Sequence, residues 1–318
     1  MGADKKLLFG VDDSNFSRQA LAEIGNLQKN SPNFKITIFH GASDSNFSCM
    51  ARMLKLSPDE LEKHRQLWSL EDKNILKKAK ETLTKSGFDP KRIATFFEQG
   101  CNDPSESMIK LAGSQGFETI AVGRWGATTL SRQIMGSVTY RLANMANTPA
   151  IWIMDPRIRS HDVLVTLVGA QISHRVMQYT LRYFAHLKKN RFTFFHVIPA
   201  PPSHIWNYGS IRDKDNFEEQ QKKIKRWLEE KTDKVKQIAD EGRQRLIKAG
   251  IPEQNITLKL KPQKQGIARD ILKELETGKY GIILIGRKGS KKIREFQFGS
   301  KANKLLYTSR TLITCIVR

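Results

Sequence analysis

Cysteine is scarce in this sequence, long apolar runs are missing, and so are the usual catalytic groupings. The three cysteines, Cys49, Cys101 and Cys315, lie far apart with no Cys-x-x-Cys pair. That spacing argues against a zinc site or a disulfide framework and for a reducing compartment. No stretch approaches the roughly 18–20 apolar residues of a membrane span. The opening MGADKKLLFGVDDS has no signal-peptide core, and lysine at position 6 breaks the myristoylation pattern. There is no Gly-x4-Gly-Lys-Ser/Thr loop to bring a lysine and a magnesium-binding hydroxyl to a triphosphate. No Ser/His/Asp arrangement, metal-ligand cluster or carboxylate pair stands out. The expectation is a cytoplasmic protein with no membrane span and no dedicated catalytic apparatus.

Hydrophobic residues make up 39% and charged residues 27% of 318, a composition that folds and that is long enough for two domains. The net charge of +22 is uneven: residues 1–158 hold 21 Lys+Arg against 17 Asp+Glu, and residues 159–318 hold 33 against 15. A basic second half suits an anionic partner, whether nucleotide phosphate, nucleic acid or an acidic protein. It equally suits a solvated, lysine-rich helix face. Nucleic acid is the weaker of these partners, because no recognition-helix motif or aromatic platform is visible.

The informative stretch is Ala121 to Ile151. It reads as the end of a buried strand, a loop with Gly123, Gly126 and Gly136 at intervals of three and ten, and a helix opening at Gly136-Ser137. Glycine lets a backbone approach a ligand closely, and a helix N-terminus offers free N–H groups and partial positive charge, so the unit suits phosphate. The same intervals recur at Gly286, Gly289, Gly299 and Ser300. Each triplet follows a strand-like run.

The whole chain repeats in this way. Leu7–Asp12, Lys35–His40, Ile93–Phe97, Thr119–Val122 and Ala150–Met154 read as strands. Helices read from Ser14 or Asn15 to about Asn30, from the capping box at Ser57-Pro58-Asp59-Glu60 to about Ser86, over Pro104–Gln115 and up to Met145. The second copy has strands at Val163–Val168, Arg191–Ile198, Ile256–Leu260, Gly281–Ile285 and Thr311–Val317. Its helices run to Leu187, from Phe217 to Lys248 before Gly250 and Pro252, and over Ile267–Leu275. Alternating strands and helices call for parallel sheets covered on both faces, with ligands at the carboxyl ends of the strands. The expected fold class is α/β: two tandem doubly wound domains, 1–155 and 160–318, joined by the short polar segment Asp155–His161. Each would be a five-stranded parallel sheet flanked by helices.

These residues resemble the universal stress protein family in its tandem form. The resemblance rests on VDDSNFSRQAL at Val11–Leu21, on strand endings FHG and FHVI, and on G-x2-G-x9-G-S in both halves, and it covers essentially the whole chain. It implies ATP or another adenine nucleotide as ligand, alone or with Mg2+. It also implies an internal pseudo-dimer paired through the final strands, with further homodimerisation open. Carried over by position, Gly10, Val11 and Asp12 lie beside the adenine and Gly41 meets the base or ribose. Val122 and Gly123 touch the ribose side, and Gly126, Gly136, Ser137 and Val138 hold the phosphates. Asp13 departs from the family, which usually has glycine there. The second site comprises Val197, Ile285, Gly286, Gly289, Gly299, Ser300 and Lys301. Val168 replaces Asp12 there, so a phosphate cradle is kept without the base contact.

Bland readings stand beside these. Asp12 could serve only to cap the next helix. His40 and His196, ending equivalent strands, read as structural. Trp125 could stack on a base or cover the loop. The charges of the long helices read as solvated Glu–Lys faces. The function expected is a nucleotide-binding stress-response sensor or regulator read by an unidentified protein partner. The alternatives are a nucleotide-hydrolysing or nucleotidyl-transferring enzyme of the same fold, or a basic scaffold for nucleic acid or acidic partners.

Overall fold

The computed structural model describes residues 4–42, 53, 57–125, 135–145, 148, 150–201, 214–287 and 300–318. Of 58, 61, 65, 68, 69, 214–217, 220, 231 and 300–303 it describes the backbone alone. In the first half, strands β1 (Lys5–Gly10), β2 (Phe34–Ala42), β3 (Ile93–Gln99), β4 (Thr119–Gly123) and β5 (Ala150–Met154) alternate with helices α1 (Asn15–Gln28), α2 (Pro58–Lys85), α3 (Pro104–Gln115) and α4 (Ser137–Met145). The second half has strands β6 (Val163–Thr166), β7 (Phe192–Ile198), β8 (Ile256–Pro262), β9 (Ile282–Gly286) and β10 (Ile313–Val317). Its helices are α5 (Ala170–Phe184), α6 (Lys214–Lys248), α7 (Ile267–Gly278) and α8 (Ser300–Thr308).

Local chemistry sets these boundaries. Ser14 caps α1 by accepting from Ser17 N, and Ser57 and Glu60 close the capping box of α2 reciprocally, with proline at the first position. Asp103 and Pro104 open α3, and Gly116 at φ +67° ends it. Every residue of β5, β6 and β10 is buried, as strands covered on both faces must be.

The chain forms two compact units. The first contains residues 4–159 and also Thr311–Ile316 from the far end of the chain. Its strands follow the order β3-β2-β1-β4-β5-β10. The first five are parallel, with Leu7 opposite Ile36 and Thr119, Ile36 opposite Ile93, and Thr119 opposite Ala150. Asp155 N donates to Leu312 O at 3.0 Å beside that added strand. In the second unit the order β9-β6-β7-β8 is again parallel. Among the described residues no helix is long and apolar enough to cross a membrane.

Matched hydrogen bonds fix the repeat residue by residue. Val11 N reaches Phe39 O and Leu167 N reaches Phe195 O, both at 2.9 Å. Asp12 N and Val168 N donate to Ser17 Oγ and Ser173 Oγ. Arg124 N donates to Met154 O and Arg287 N to Val317 O. Val168 therefore occupies the place of Asp12, and Arg318 that of Asp155.

Candidate functional site

In the first unit the strand ends converge as a parallel sheet requires. Gly10, ending β1, pairs with Phe39 and Val122. A Cβ there would lie 2.8 Å from Met108 Sδ and 3.2 Å from Val122 Cγ1, so the bare backbone lets α3 press against the strand. Val11 is buried. Asp12 lies just past the strand, half-buried. Its Oδ1 accepts from Ser14 N and from Ser14 Oγ. Ser14, not Asp12, caps the helix, and Asp12 holds the capping serine in place. The turn at Asp13 avoids the left-handed region, whereas its counterpart Gly169 has φ +69°. The Asp13 carbonyl and carboxylate both accept from Arg18 Nη1 at 2.9 Å. The second turn thus uses the left-handed geometry that glycine permits, and the first is tied by Arg18 instead.

Val122 and Gly123 end β4, and the chain continues through Arg124 and Trp125. Gly136 returns to this point, its N–H donating to Arg124 O at 3.1 Å. Thr139 Oγ1 donates to Gly123 O at 2.8 Å. These two bonds bring the N-terminus of α4, with Ser137 exposed and Val138 half-buried, to the carboxyl end of β4. Gly126 lies outside the described residues. Gly41 belongs to β2, where Cys101 packs against it. Burial raises the Cys101 thiol above the ordinary cysteine range, against a hydrogen bond with Ser107. Its place under Gly41 is a packing role.

Behind the strand ends, His40 Nδ1 meets Val11 O at 3.0 Å and His40 Nε2 meets Asp72 Oδ1 of α2 at 2.9 Å. Two acceptors face the two ring nitrogens. His196 repeats half of this: Nδ1 meets Leu167 O at 2.7 Å. Its Nε2 is buried with no partner among the described residues. Asp72 precedes Gly87 by the same interval as Val235 precedes Gly250, and Val235 is buried. Burial therefore pushes the His196 ring below the ordinary histidine range, against the pull of the Leu167 carbonyl. The second repeat has exchanged both acids, Asp12 and Asp72, for valine.

Of the second constellation, Val197 is buried in β7, and Ile285 and Gly286 end β9. Gly289 and Gly299 lie outside the described residues. Ser300 and Lys301 open α8, described in backbone only. Arg287 follows Gly286 as Arg124 follows Gly123, and both are buried. Burial lowers the Arg287 guanidinium to about 10, with the charge of Arg318 adding to the shift. Among the described residues no group of His, Cys, Asp and Glu could hold a metal ion. Sequence reasoning missed Thr139 and Asp72. Thr139 is three residues beyond Gly136 on the first turn of a recognised helix, a signal that was available; Asp72 was one charge among many on a polar helix.

Residues 4–153 match the universal stress protein family. No curated protein matches the chain. Among solved structures, a universal stress protein from Archaeoglobus fulgidus aligns over 99% of this chain and 98% of its own, at 17% identity and a TM-score of 0.63. A protein of unknown function from Pseudomonas aeruginosa aligns over 99% and 92%, at 11% identity and a TM-score of 0.56. A universal stress protein in complex with cAMP aligns over 49% of this chain and 99% of its own, at 21% identity and a TM-score of 0.33. At the first two values the likeness is one of fold.

Proposed function

We propose that this chain, whose residues 4–153 match the universal stress protein family, is an adenine-nucleotide-binding sensor or regulator. Its principal site lies at the carboxyl ends of β1 and β4. The observation that carries this reading is the return of the α4 N-terminus to Arg124 and Gly123 through Gly136 N and Thr139 Oγ1. Free N–H groups at a helix start favour an anion. They stand at the end of the sheet where α/β proteins bind ligands, with Asp12 a strand away to accept from a base amino group. Gly10, Val11, Asp12 and Gly41 form the base and ribose side. Val122, Gly123, Gly126, Gly136, Ser137 and Val138 form the phosphate side. Mg2+ would arrive on the phosphates of ATP, since no described carboxylate group is built to hold it. The second site, with Val168 for Asp12, binds the same nucleotide weakly. The protein acts in the cytoplasm through occupancy of the first site, which a protein partner reads.

The test is calorimetric titration with ATP, ADP, AMP and GTP, with thermal shifts recorded in parallel, because a ligand of the native state raises its stability by RT ln(1 + [L]/Kd). One dominant adenine-selective site is expected, weakened by Asp12→Ala and abolished by Gly126→Val. Wild-type protein indifferent to all four nucleotides would overturn the reading.

A further inference from the structure

The segment that follows β5 packs against Trp125, just past the end of β4. Asp155 is buried and anchored through its N–H to Leu312 O. Its carboxylate takes Arg157 in bidentate fashion, Nε at 2.8 Å and Nη2 at 2.7 Å. The guanidinium so fixed lies over the Trp125 ring, 4.4 Å from its centroid. Phe16, from the first turn of α1, meets the same ring edge-on at 5.0 Å and 81°. Trp125 is thus gripped from two sides. Its carbonyl would stand 3.2 Å from a Cβ placed on Gly123, and Phe16 Cδ1 3.7 Å from it. The chain of fixed groups runs from Asp155 to Arg157 to Trp125 and ends at the backbone leaving β4.

We infer that Arg157 is a positioning residue of the first nucleotide site, holding Trp125 so that the backbone of Gly123, Arg124 and Trp125 is set for the ligand before it arrives. The inference rests on the nucleotide-binding reading above and names a residue outside the glycine motif. The repeat supports it. Arg157 also lies over the Phe16 ring, 6.0 Å from its centroid, and at the matching places the second half has Ile172 for Phe16, Lys288 for Trp125 and Arg318 for Asp155. The cluster is thus particular to the half that also carries Asp12. The grip is specific to arginine: a planar guanidinium can satisfy a carboxylate with two parallel bonds while its face covers a ring, and an ammonium cannot. A preorganised backbone binds more tightly because less ordering remains to be done on binding.

The test measures ATP affinity by calorimetry, and thermal stability without ligand, for wild type, Arg157→Ala, Arg157→Lys, Trp125→Ala and the double variant Arg157→Ala/Trp125→Ala. Arg157→Ala should weaken ATP binding about tenfold, in the range of a partly desolvated cation–π contact. Arg157→Lys should weaken it nearly as much, because it keeps the charge and loses the fork. In the Trp125→Ala background, removing Arg157 should change the affinity by less than about twofold. If Arg157→Lys binds ATP as wild type does, Arg157 acts only as a charge and the positioning role fails. Equal affinity of Arg157→Ala and wild type, with a lowered melting temperature alone, also overturns it and leaves a structural brace. Wild type that binds no ATP refutes the nucleotide reading itself, a result distinct from either.

Discussion

A methyl group on Gly41 would stand 2.5 Å from Cys101 Sγ and 2.9 Å from Cys101 Cβ. Overpacking of that kind costs about 1–3 kcal/mol when the neighbour cannot retreat. Gly41→Ala should lower the unfolding free energy in urea by that amount. In a Cys101→Ala background, where the sulfur is gone and the Cβ remains, part of the loss should return; an identical loss in both backgrounds would refute the contact. His196 offers a test by pH. Its neutral form is favoured in the folded protein, because the ring is buried with one nitrogen unpartnered among the described residues. A base with a depressed folded pKa contributes stability that is whole above its unfolded pKa, about 6.5, and is lost as the pH falls below it. Between pH 7 and pH 5 the wild type should therefore lose stability more steeply than His196→Gln. Parallel curves would remove His196 from the account.

Helix α7 and edge strand β8 are joined by a polar device. Buried Glu274 accepts from Lys259 at 2.7 Å and Lys261 at 2.6 Å, and Tyr280 Oη also donates to it, at 3.1 Å. Burial works to raise the Glu274 carboxyl, but the two lysines outweigh it and hold the group below the ordinary glutamate range. Its contribution to stability is thus present above about pH 4.5 and lost as the pH falls through the folded value. The first repeat fills the same places with Phe96, Leu111 and Phe117. Replacing a satisfied buried ion pair by apolar groups of similar volume is often neutral, whereas removing one partner is not. Glu274→Ala alone should cost about 1–2 kcal/mol, because the two lysines it leaves behind are 38% and 54% exposed and water screens them. The triple exchange Lys259→Phe, Glu274→Leu and Tyr280→Phe should stay within about 1 kcal/mol of wild type in urea unfolding. A triple variant weaker than the single one would contradict this.

Elements of this kind were largely legible in the sequence, because what sets them is local. Periodicity marked the strands to within a few residues, and the Ser57 box and Gly116 are signals contained in one turn. The glycine intervals likewise located the ends of β4 and β9. The grip of Arg157 on Trp125 was not legible, since the two are separated by 32 positions and only the fold brings them together. The same holds for Asp72, which looks like any solvated charge until β2 places His40 beneath it. Trp125, open between a base and a cover for the loop, is found already engaged by Phe16 and Arg157.

For the molecule as a whole, the two repeats have diverged in charge and in chemistry together. The second holds more cations and has valine in both acid places, Val168 for Asp12 just past β1 and Val235 for Asp72 on the long helix. If those acids separate a purine-selective site from a weak one, restoring them should restore the site. The variant Val168→Asp/Val235→Asp should raise the calorimetric stoichiometry for ATP from about one per chain towards two, through the regained acceptor for the base. An unchanged stoichiometry would show that the difference between the sites lies elsewhere.

Thr311–Ile316 complete the first unit from the far end of the chain. During synthesis the ribosome has released β5 long before it makes β10, and the outer margin of β5 must wait. At about 5–20 residues per second the interval is roughly 8–30 s. In that time the newborn protein carries a bare strand edge open to mispairing with other nascent chains. Production in the cell should therefore depend on chaperones or slow growth, and a clone stopped at the end of the first repeat should yield sticky, insoluble material.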